Sequence, residues 1–355
     1  MAQTYTQEVA HPSAWTATGL GSVDSIKVAW KQRHIDALEE AYEQVAARGL
    51  TLDQVEHEHF LLPSIAADLR AIYEEVMWGR GIVLVDRLPV EDWSLEKAEI
   101  IYWGIGTHFG KGQSQSVMGD RLGHVVNVGG KDPKERAYRN SLPLTLHTDA
   151  CDILGMLSIR AGETGGESQY ASAVAVHNAI LEEKPEYLEP LYRGFRYHRF
   201  GEEGPGEAPV TEHHVPVLSE RDGYVTCRYV AGYIYMAYEE LGEELSDTDR
   251  DALGYFDDVA LRPEMKLEFM MQPGQMLLAN NHTVLHARSG FEDTPGADTG
   301  RMLLRLWLTA HEGERRPIDE TIEIYRARGI DPQSRNETRY RGDATKVLKP
   351  GVLKY

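Results

Sequence analysis

The chain has 355 residues, with 37 Lys and Arg against 56 Asp and Glu, a formal net charge of -19 and a pI of about 5.2. That balance excludes the basic footprint that nucleic-acid phosphates and anionic membrane surfaces demand. Hydrophobic residues make up 42 % and charged residues 26 %, an ordinary globular composition, and no run nears the roughly 18 apolar residues of a membrane span.

Two cysteines, Cys151 and Cys227, exclude a disulfide framework and a Cys-rich zinc site. The opening MAQTYTQEVAHPSAW lacks a basic region followed by an apolar one, so a cytoplasmic protein without a signal peptide is expected. The glycosylation-type triplets Asn281–Thr283 and Asn336–Thr338 then carry no meaning.

Residues 32–48 place Ile35, Leu38, Ala41 and Val45 at helical spacing, and residues 64–78 do the same with Ile65, Leu69, Ile72 and Val76. Gly79-Arg80-Gly81 breaks the pattern, and Ile82–Val85 reads as a buried strand. Residues 93–105 read as a helix. Short strands are expected at 124–128, 153–160, 168–171, 194–200, 215–218, 223–230, 266–271, 275–279, 284–288 and 302–310. Helices interrupt at 172–184, capped by Ser172, and at 246–259, capped by Ser246 or Asp247. Residues 312–355 read as a short helix and an extended tail. The expectation is three stretches: a helical 1–80, a β-rich 81–311 with helical insertions, and a C-terminal extension 312–355, together one catalytic unit. Many short strands punctuated by Gly, Pro and Asp predict a sandwich, jelly roll or barrel.

Several metal-like patterns read as noise. His34 and Asp36 lie about 200° apart on a helix, so they cannot share an ion, and they read as solvated helix surface. His57-Glu58-His59 lacks zincin spacing. His213-His214 suits a turn before Pro216.

His147-Thr148-Asp149 differs, because on an extended chain the two side chains share a face. They read either as two ligands of one ion or as a buried His–Asp pair. Asn280–Arg288 offers His282 and His286. In 301–308, alternation puts Arg301, Leu303 and Arg305 on one face. A buried guanidinium there needs an anion, and a ligand carboxylate would suit it; the alternatives are a rim-exposed arginine or an internal ion pair. Gly165-Gly166-Glu167-Ser168 is a turn entering a strand, without the pattern of a phosphate loop.

A His-x-Asp pair, a distant His and an Arg on the next strand describe a 2-His-1-carboxylate triad beside a carboxylate clamp. In this order and spacing, together with Cys151-Asp152, Gly165–Ser168 and Phe291-Glu292-Asp293, the chain resembles the taurine dioxygenase (TauD/TfdA) family of Fe(II)/2-oxoglutarate oxygenases over about residues 81–310.

The resemblance implies a mainly β fold with flanking helices, built on a double-stranded β-helix (jelly-roll) core. It implies Fe(II) held by His147, Asp149 and His286, with 2-oxoglutarate and O2 as co-substrates. Arg301 and Ser168 would bind the distal carboxylate of 2-oxoglutarate. Arg305 matches a second family arginine near the co-substrate or substrate, and Arg288 a structural one. Halogenating relatives carry a small residue at the position of Asp149, so hydroxylation or desaturation is implied here. Segment 108–118 resembles a loop near the substrate, pointing to Gln113 and Gln115. The Tyr-rich run 224–238 adds Tyr229 and Tyr233 as pocket residues, or else as plain packing. The partner expected is a small molecule, and a homo-oligomer fits the family. The competing readings are a cupin-like metal enzyme that does not use 2-oxoglutarate and a non-catalytic binding module.

Overall fold

The computed structural model describes residues 4–127, 141, 143–162, 164–292 and 300–333. Val128, Leu142, Asp293, the Asn336–Thr338 triplet and the tail from 334 lie outside the described residues.

Side-chain alternation along the strands sorts the core into layers. In Met302–Thr309, Leu304, Leu306 and Leu308 join one apolar cluster, whereas Leu303 joins another. The first cluster is the outer face of a seven-stranded sheet. Its strands run in the order Lys27–Ala29, Ile82–Asp86, Met276–Asn280, Ile153–Arg160, Met302–Thr309 and Lys111–Gly112, with Leu122–Val126 also paired to Met302–Thr309. Helices Gln32–Ala47, Ala66–Met77 and Leu95–Thr107 cover that face through Leu38, Val45, Leu69, Ile72 and Ile101.

A four-stranded antiparallel sheet lies opposite, in the order Lys266–Phe269, Ser168–Ser172, Val284–Arg288 and Leu144–His147. Its outer residues Leu146, Ala171, Leu285 and Ala287 pack on helices Ala173–Glu183, Leu188–Arg193 and Asp247–Ala260. Between the sheets, Ile82, Leu84, Leu277 and Ala279 meet Tyr170, Leu267 and Val284. This is the jelly-roll core flanked by helices.

Serine caps start two helices where the sequence places them, Ser172 and Ser246 accepting from the backbone N–H of Ala175 and Asp249, and Ser94, which the sequence reading did not name, caps a third by accepting from Lys97 N–H. Other expectations need correction. Segment 194–200 holds only isolated bridges at Phe195 and His198. The run 223–230 is a shorter strand, Tyr224–Cys227, followed by the helix Ala231–Leu241, whose Ile234 and Ala237 form a buried helical stripe beneath the tyrosines. His34 is not solvated: it is buried, stacked on Trp30 at 5.4 Å, while Asp36 on the other side of the helix is exposed. The first 80 residues also supply a strand, Lys27–Ala29, paired in parallel with Ile82–Asp86. After the helix Glu320–Arg326, the chain is bound back to the core by backbone N–H donors, Gly329 to Ala150 O (2.7 Å), Ile330 to Ser114 O (2.9 Å) and Gln333 to Val117 O (2.8 Å).

Burial in the helix Asp247–Ala260, with Asp258 beside it, pushes the Asp257 carboxyl up to about 6. A carboxyl with a raised folded pKa favours the fold while protonated, so its contribution fades as pH rises from about 4 to about 6. Asp257→Asn should therefore stabilise the protein by roughly 1–2 kcal/mol above pH 7, with a smaller gain at pH 5. Urea unfolding at the two pH values checks this, and an equal gain at both would count against it.

Candidate metal centre and active-site cavity

The ladder between Val284–Arg288 and Leu144–His147 sets His286 directly opposite His147. Strand pairing thus brings together two imidazoles 139 positions apart in sequence, with ring centroids 4.1 Å apart. Asp149 follows two residues beyond His147. Its Oδ1 lies 3.7 Å from His147 Nε2 and its Oδ2 3.4 Å from His286 Nε2. One donor atom from each residue lies within 4.8 Å of the others. The side chains are 10–12 % exposed, so they sit in the interior at the edge of an opening.

The donor set fits a divalent metal. His147 Nδ1 lies 2.8 Å from Thr145 O, so a proton there is donated to the carbonyl and the Nε2 lone pair faces Asp149. Burial and the neighbouring His286 push His147 down to about 3, which keeps it neutral. Burial alone would raise the Asp149 carboxyl, but Arg305 and the two imidazoles outweigh it and hold the carboxyl well below its usual range. These are the protonation states that metal ligands need.

Arg305 and two residues that the sequence reading did not single out, Trp307 and Asn281, hold Asp149. Trp307 Nε1 donates to Asp149 Oδ2 at 2.8 Å, and Arg305 Nη1 lies 3.4 Å from the same oxygen. Asn281, the first residue of a glycosylation-type triplet in the sequence, is buried. Its Oδ1 accepts from Asp149 N at 2.8 Å and its Nδ2 donates to Asp149 O at 2.6 Å. The period-2 pattern places Trp307 on the face of Arg301 and Arg305, the one signal in the sequence that bears on it. Nothing local marks Asn281. His282 is separated from His286: it is buried against Asp152, 3.0 Å away.

The second cavity begins two residues along the same strand. Ser168, Tyr170, Arg288 and Arg301 line it together with His286 and Arg305. Arg288 is paired with Ser168 across the ladder. The two guanidiniums stack on Phe291, at 4.7 Å and 5.3 Å. Burial and the charge of Arg301 push Arg288 down to about 9. Two guanidiniums and a serine hydroxyl lining one small cavity are donors suited to a carboxylate. Gly166 has φ of 82°, and a Cβ there would stand 2.9 Å from Arg301 Nε. Only glycine suits both the left-handed backbone and the guanidinium lying against it.

The larger cavity, about 320 Å³, opens from the other side of the triad. Its lining includes His147, Asp149, Arg305 and Trp307, the apolar Phe200, Val230, Met236 and Ile330, and the charged Glu202, Arg228 and Arg326. Tyr233 lines it. Tyr229 does not: it is buried against Phe256, with centroids 4.7 Å apart, among the helices. Gln113 does not line it either, since its side chain donates outward to Lys111 O at 3.2 Å. Gln115 acts indirectly: its Oε1 accepts from Arg305 Nε at 2.7 Å and its Nε2 donates to Arg305 O at 2.8 Å, fixing that guanidinium.

Comparison with known proteins agrees with this geometry. The chain is 28 % identical over 284 residues to the FR-33289 synthase of Streptomyces rubellomurinus (strain ATCC 31215), across 78 % of this chain and 83 % of that protein. It is 26 % identical over 310 residues to the taurine hydroxylase-like protein SAT17 of Stachybotrys chartarum (strain CBS 109288 / IBT 7711), across 82 % and 77 %. Its fold is similar to that of an asparagine oxygenase solved with Fe(II), 2S,3S-3-hydroxyasparagine and succinate, with a TM-score of 0.62 at 16 % identity over 80 % of this chain and 93 % of that one. The non-heme iron oxygenase OrfP, solved with Fe and alpha-ketoglutaric acid, gives 0.58 at 14 % identity over 86 % and 99 %. Among the described residues, no helix is long and apolar enough to cross a membrane. Residues 46–307 match the taurine catabolism dioxygenase TauD, TfdA family, and the chain belongs to that family as a 2-oxoglutarate-dependent, non-haem iron dioxygenase.

Proposed function

We propose that the chain hydroxylates an unactivated C–H bond of a small organic substrate seated in the 320 Å³ cavity. His147, Asp149 and His286 would hold Fe(II), and Arg301 and Ser168 the distal carboxylate of 2-oxoglutarate. The observation that carries this reading is the convergence of three ligand atoms at the junction of two cavities, one small and cationic, the other larger and mostly apolar.

Residues i and i+2 of a strand are about 7 Å apart, so His286 and Arg288 are separated by a span that a five-carbon diacid can bridge. One end would face the triad while its distal carboxylate meets Arg301, Arg288 and the Ser168 hydroxyl. Iron at the triad would supply O2 activation coupled to decarboxylation of 2-oxoglutarate to succinate and CO2, with one oxygen atom passing to the substrate. The protein's part is to hold and exclude. Arg305 keeps Asp149 ionised, Trp307 and Asn281 fix its direction, Thr145 sets the His147 tautomer, and Phe200, Met236 and Ile330 keep the cavity dry. A cytoplasmic setting belongs to the same reading and is supported by two cysteines that are both free and buried.

Anaerobic titration of the metal-free protein with Fe(II) and 2-oxoglutarate tests the reading through the visible charge-transfer band of the chelate. The expected result is a band that saturates at one equivalent, followed by succinate release once O2 and a substrate are present. A folded protein that gives no band would return the cupin-like and non-catalytic readings.

A further inference from the structure

The loop that carries Asp149 is also the crossing between the two sheets. Residues 148–152 join Leu144–His147 of the four-stranded sheet to Ile153–Arg160 of the seven-stranded one, and they belong to no helix or strand. The shape of such a loop depends on the side chains that grip it. Asp152 closes it and is 1 % exposed. Its Oδ1 accepts from His282 Nε2 at 3.0 Å and from Arg315 Nη2 at 2.8 Å, and its Oδ2 accepts from Ala310 N at 3.0 Å. Its backbone is held as well, with Asp152 N donating to Leu308 O at 3.0 Å and Asn281 N donating to Asp152 O at 2.9 Å. Burial alone would raise the Asp152 carboxyl, but His282, Arg315 and the Ala310 N–H outweigh it and hold the carboxyl below its usual range.

These partners come from two places. His282 stands in the turn 281–283, from which Val284–Arg288 carries His286 to the triad. Asn281 holds Asp149 and His282 holds Asp152, so consecutive residues of one turn grip both ends of the loop. His282 Nδ1 is buried and has no partner among the described residues, so the bond to Asp152 is what orients the ring. Ala310 and Arg315 lie beyond the family match, which ends at residue 307. Arg315 also pairs at 2.6 Å with Glu323 on the helix Glu320–Arg326.

We infer that Asp152 is a positioning residue of the metal centre: it fixes where Asp149 stands relative to His286, and through Arg315 it makes the C-terminal segment part of that scaffold. This rests on the reading of the triad as the metal site. Ligands held at the right separation beforehand need no ordering when the ion arrives, so a loosened loop lowers affinity without the loss of a ligand atom.

The test is titration of the full, metal-free chain with Co(II) under argon, well below the unfolding temperature. Binding is read by calorimetry and by the visible absorption of the bound ion, and thermal unfolding midpoints are recorded alongside. Asp152→Asn keeps the volume but cannot accept from all the donors. It should weaken Co(II) about tenfold and change the absorption at saturation. Arg315→Gln alters a side chain that is 20 % exposed and should weaken Co(II) about threefold. Arg315→Lys should restore most of that loss, because it keeps a charged donor beside Asp152. Val45→Ala serves as the control. It removes packing from the cluster outside the seven-stranded sheet and should lower the midpoint with Co(II) affinity unchanged.

Unchanged Co(II) affinity and absorption in both Asp152→Asn and Arg315→Gln, whatever the midpoints do, would make Asp152 a residue of the fold alone and overturn the inference. Equal weakening by Val45→Ala would overturn it too, by tracing the effect to general destabilisation. If Asp152→Asn does not fold, the Arg315 pair decides: loss in Arg315→Gln with recovery in Arg315→Lys supports the inference, and no loss overturns it. An unaltered protein that binds no Co(II), or a His286→Ala protein with normal absorption, would instead remove the triad as the metal site, and the inference with it.

Discussion

His286→Ala is expected to leave a folded protein that no longer forms the Fe(II)–2-oxoglutarate chelate and turns over on the order of a thousandfold slower, the equivalent of about 4 kcal/mol in the barrier. The side chain projects between the sheets from a strand hydrogen-bonded on both edges, to Ser168–Ser172 and to Leu144–His147, so truncation removes a ligand atom and leaves the ladder intact. Asp149 is a different case. Its carboxylate accepts from Trp307 and lies 3.4 Å from Arg305 Nη1. Asp149→Ala removes one partner of that buried ion pair and should cost about 3–5 kcal/mol of stability on top of the lost activity. Asp149→Asn keeps the shape and is the cleaner probe. Metal titration followed optically, together with urea unfolding, separates the two effects. A His286→Ala protein that chelates iron normally would remove His286 from the triad.

Arg301→Ala should raise the KM for 2-oxoglutarate about a hundredfold, close to 3 kcal/mol, with kcat at saturating co-substrate changed far less. The distal carboxylate lies away from the reacting atoms, so its partner contributes binding shared by ground and transition states. Arg301→Lys should recover only part, because an ammonium lacks the planar fork. Initial rates of succinate formation across 2-oxoglutarate concentrations decide this. Near-normal affinity in Arg301→Ala would move the clamp to Arg288, which shares the pocket and stacks on the same Phe291 ring.

Residues close in sequence, or tied by a short period, were readable without coordinates. His147 and Asp149 share a face because an extended chain repeats every two residues, and the same rule placed Arg301, Leu303 and Arg305 together. Helix starts were readable because Ser172 and Ser246 cap through their own side chains, a local interaction. The Tyr-rich run was harder. Aromatic and β-branched residues favour a strand locally, and the helix Ala231–Leu241 forms because Ile234 and Ala237 find a core to bury against.

Short-range patterns and their order along the chain carried the resemblance to the family, and the resemblance in turn implied the jelly-roll core and the candidate triad. Other features depend on where distant segments land. Cross-strand register alone sets His286, and not His282, opposite His147. Asn281 and Trp307 reach the Asp149 loop across more than 130 positions. Gln115 acts on Arg305 rather than on the cavity. The cavity that holds Arg228, Glu202, Arg326 and Ile330 exists only after the segment beyond residue 307 folds back onto the core. The physical reason is one of range. Propensity, capping and alternation act over a few residues and are written locally, whereas the wall of a cavity is made by packing and charge balance among segments that meet only in the folded chain.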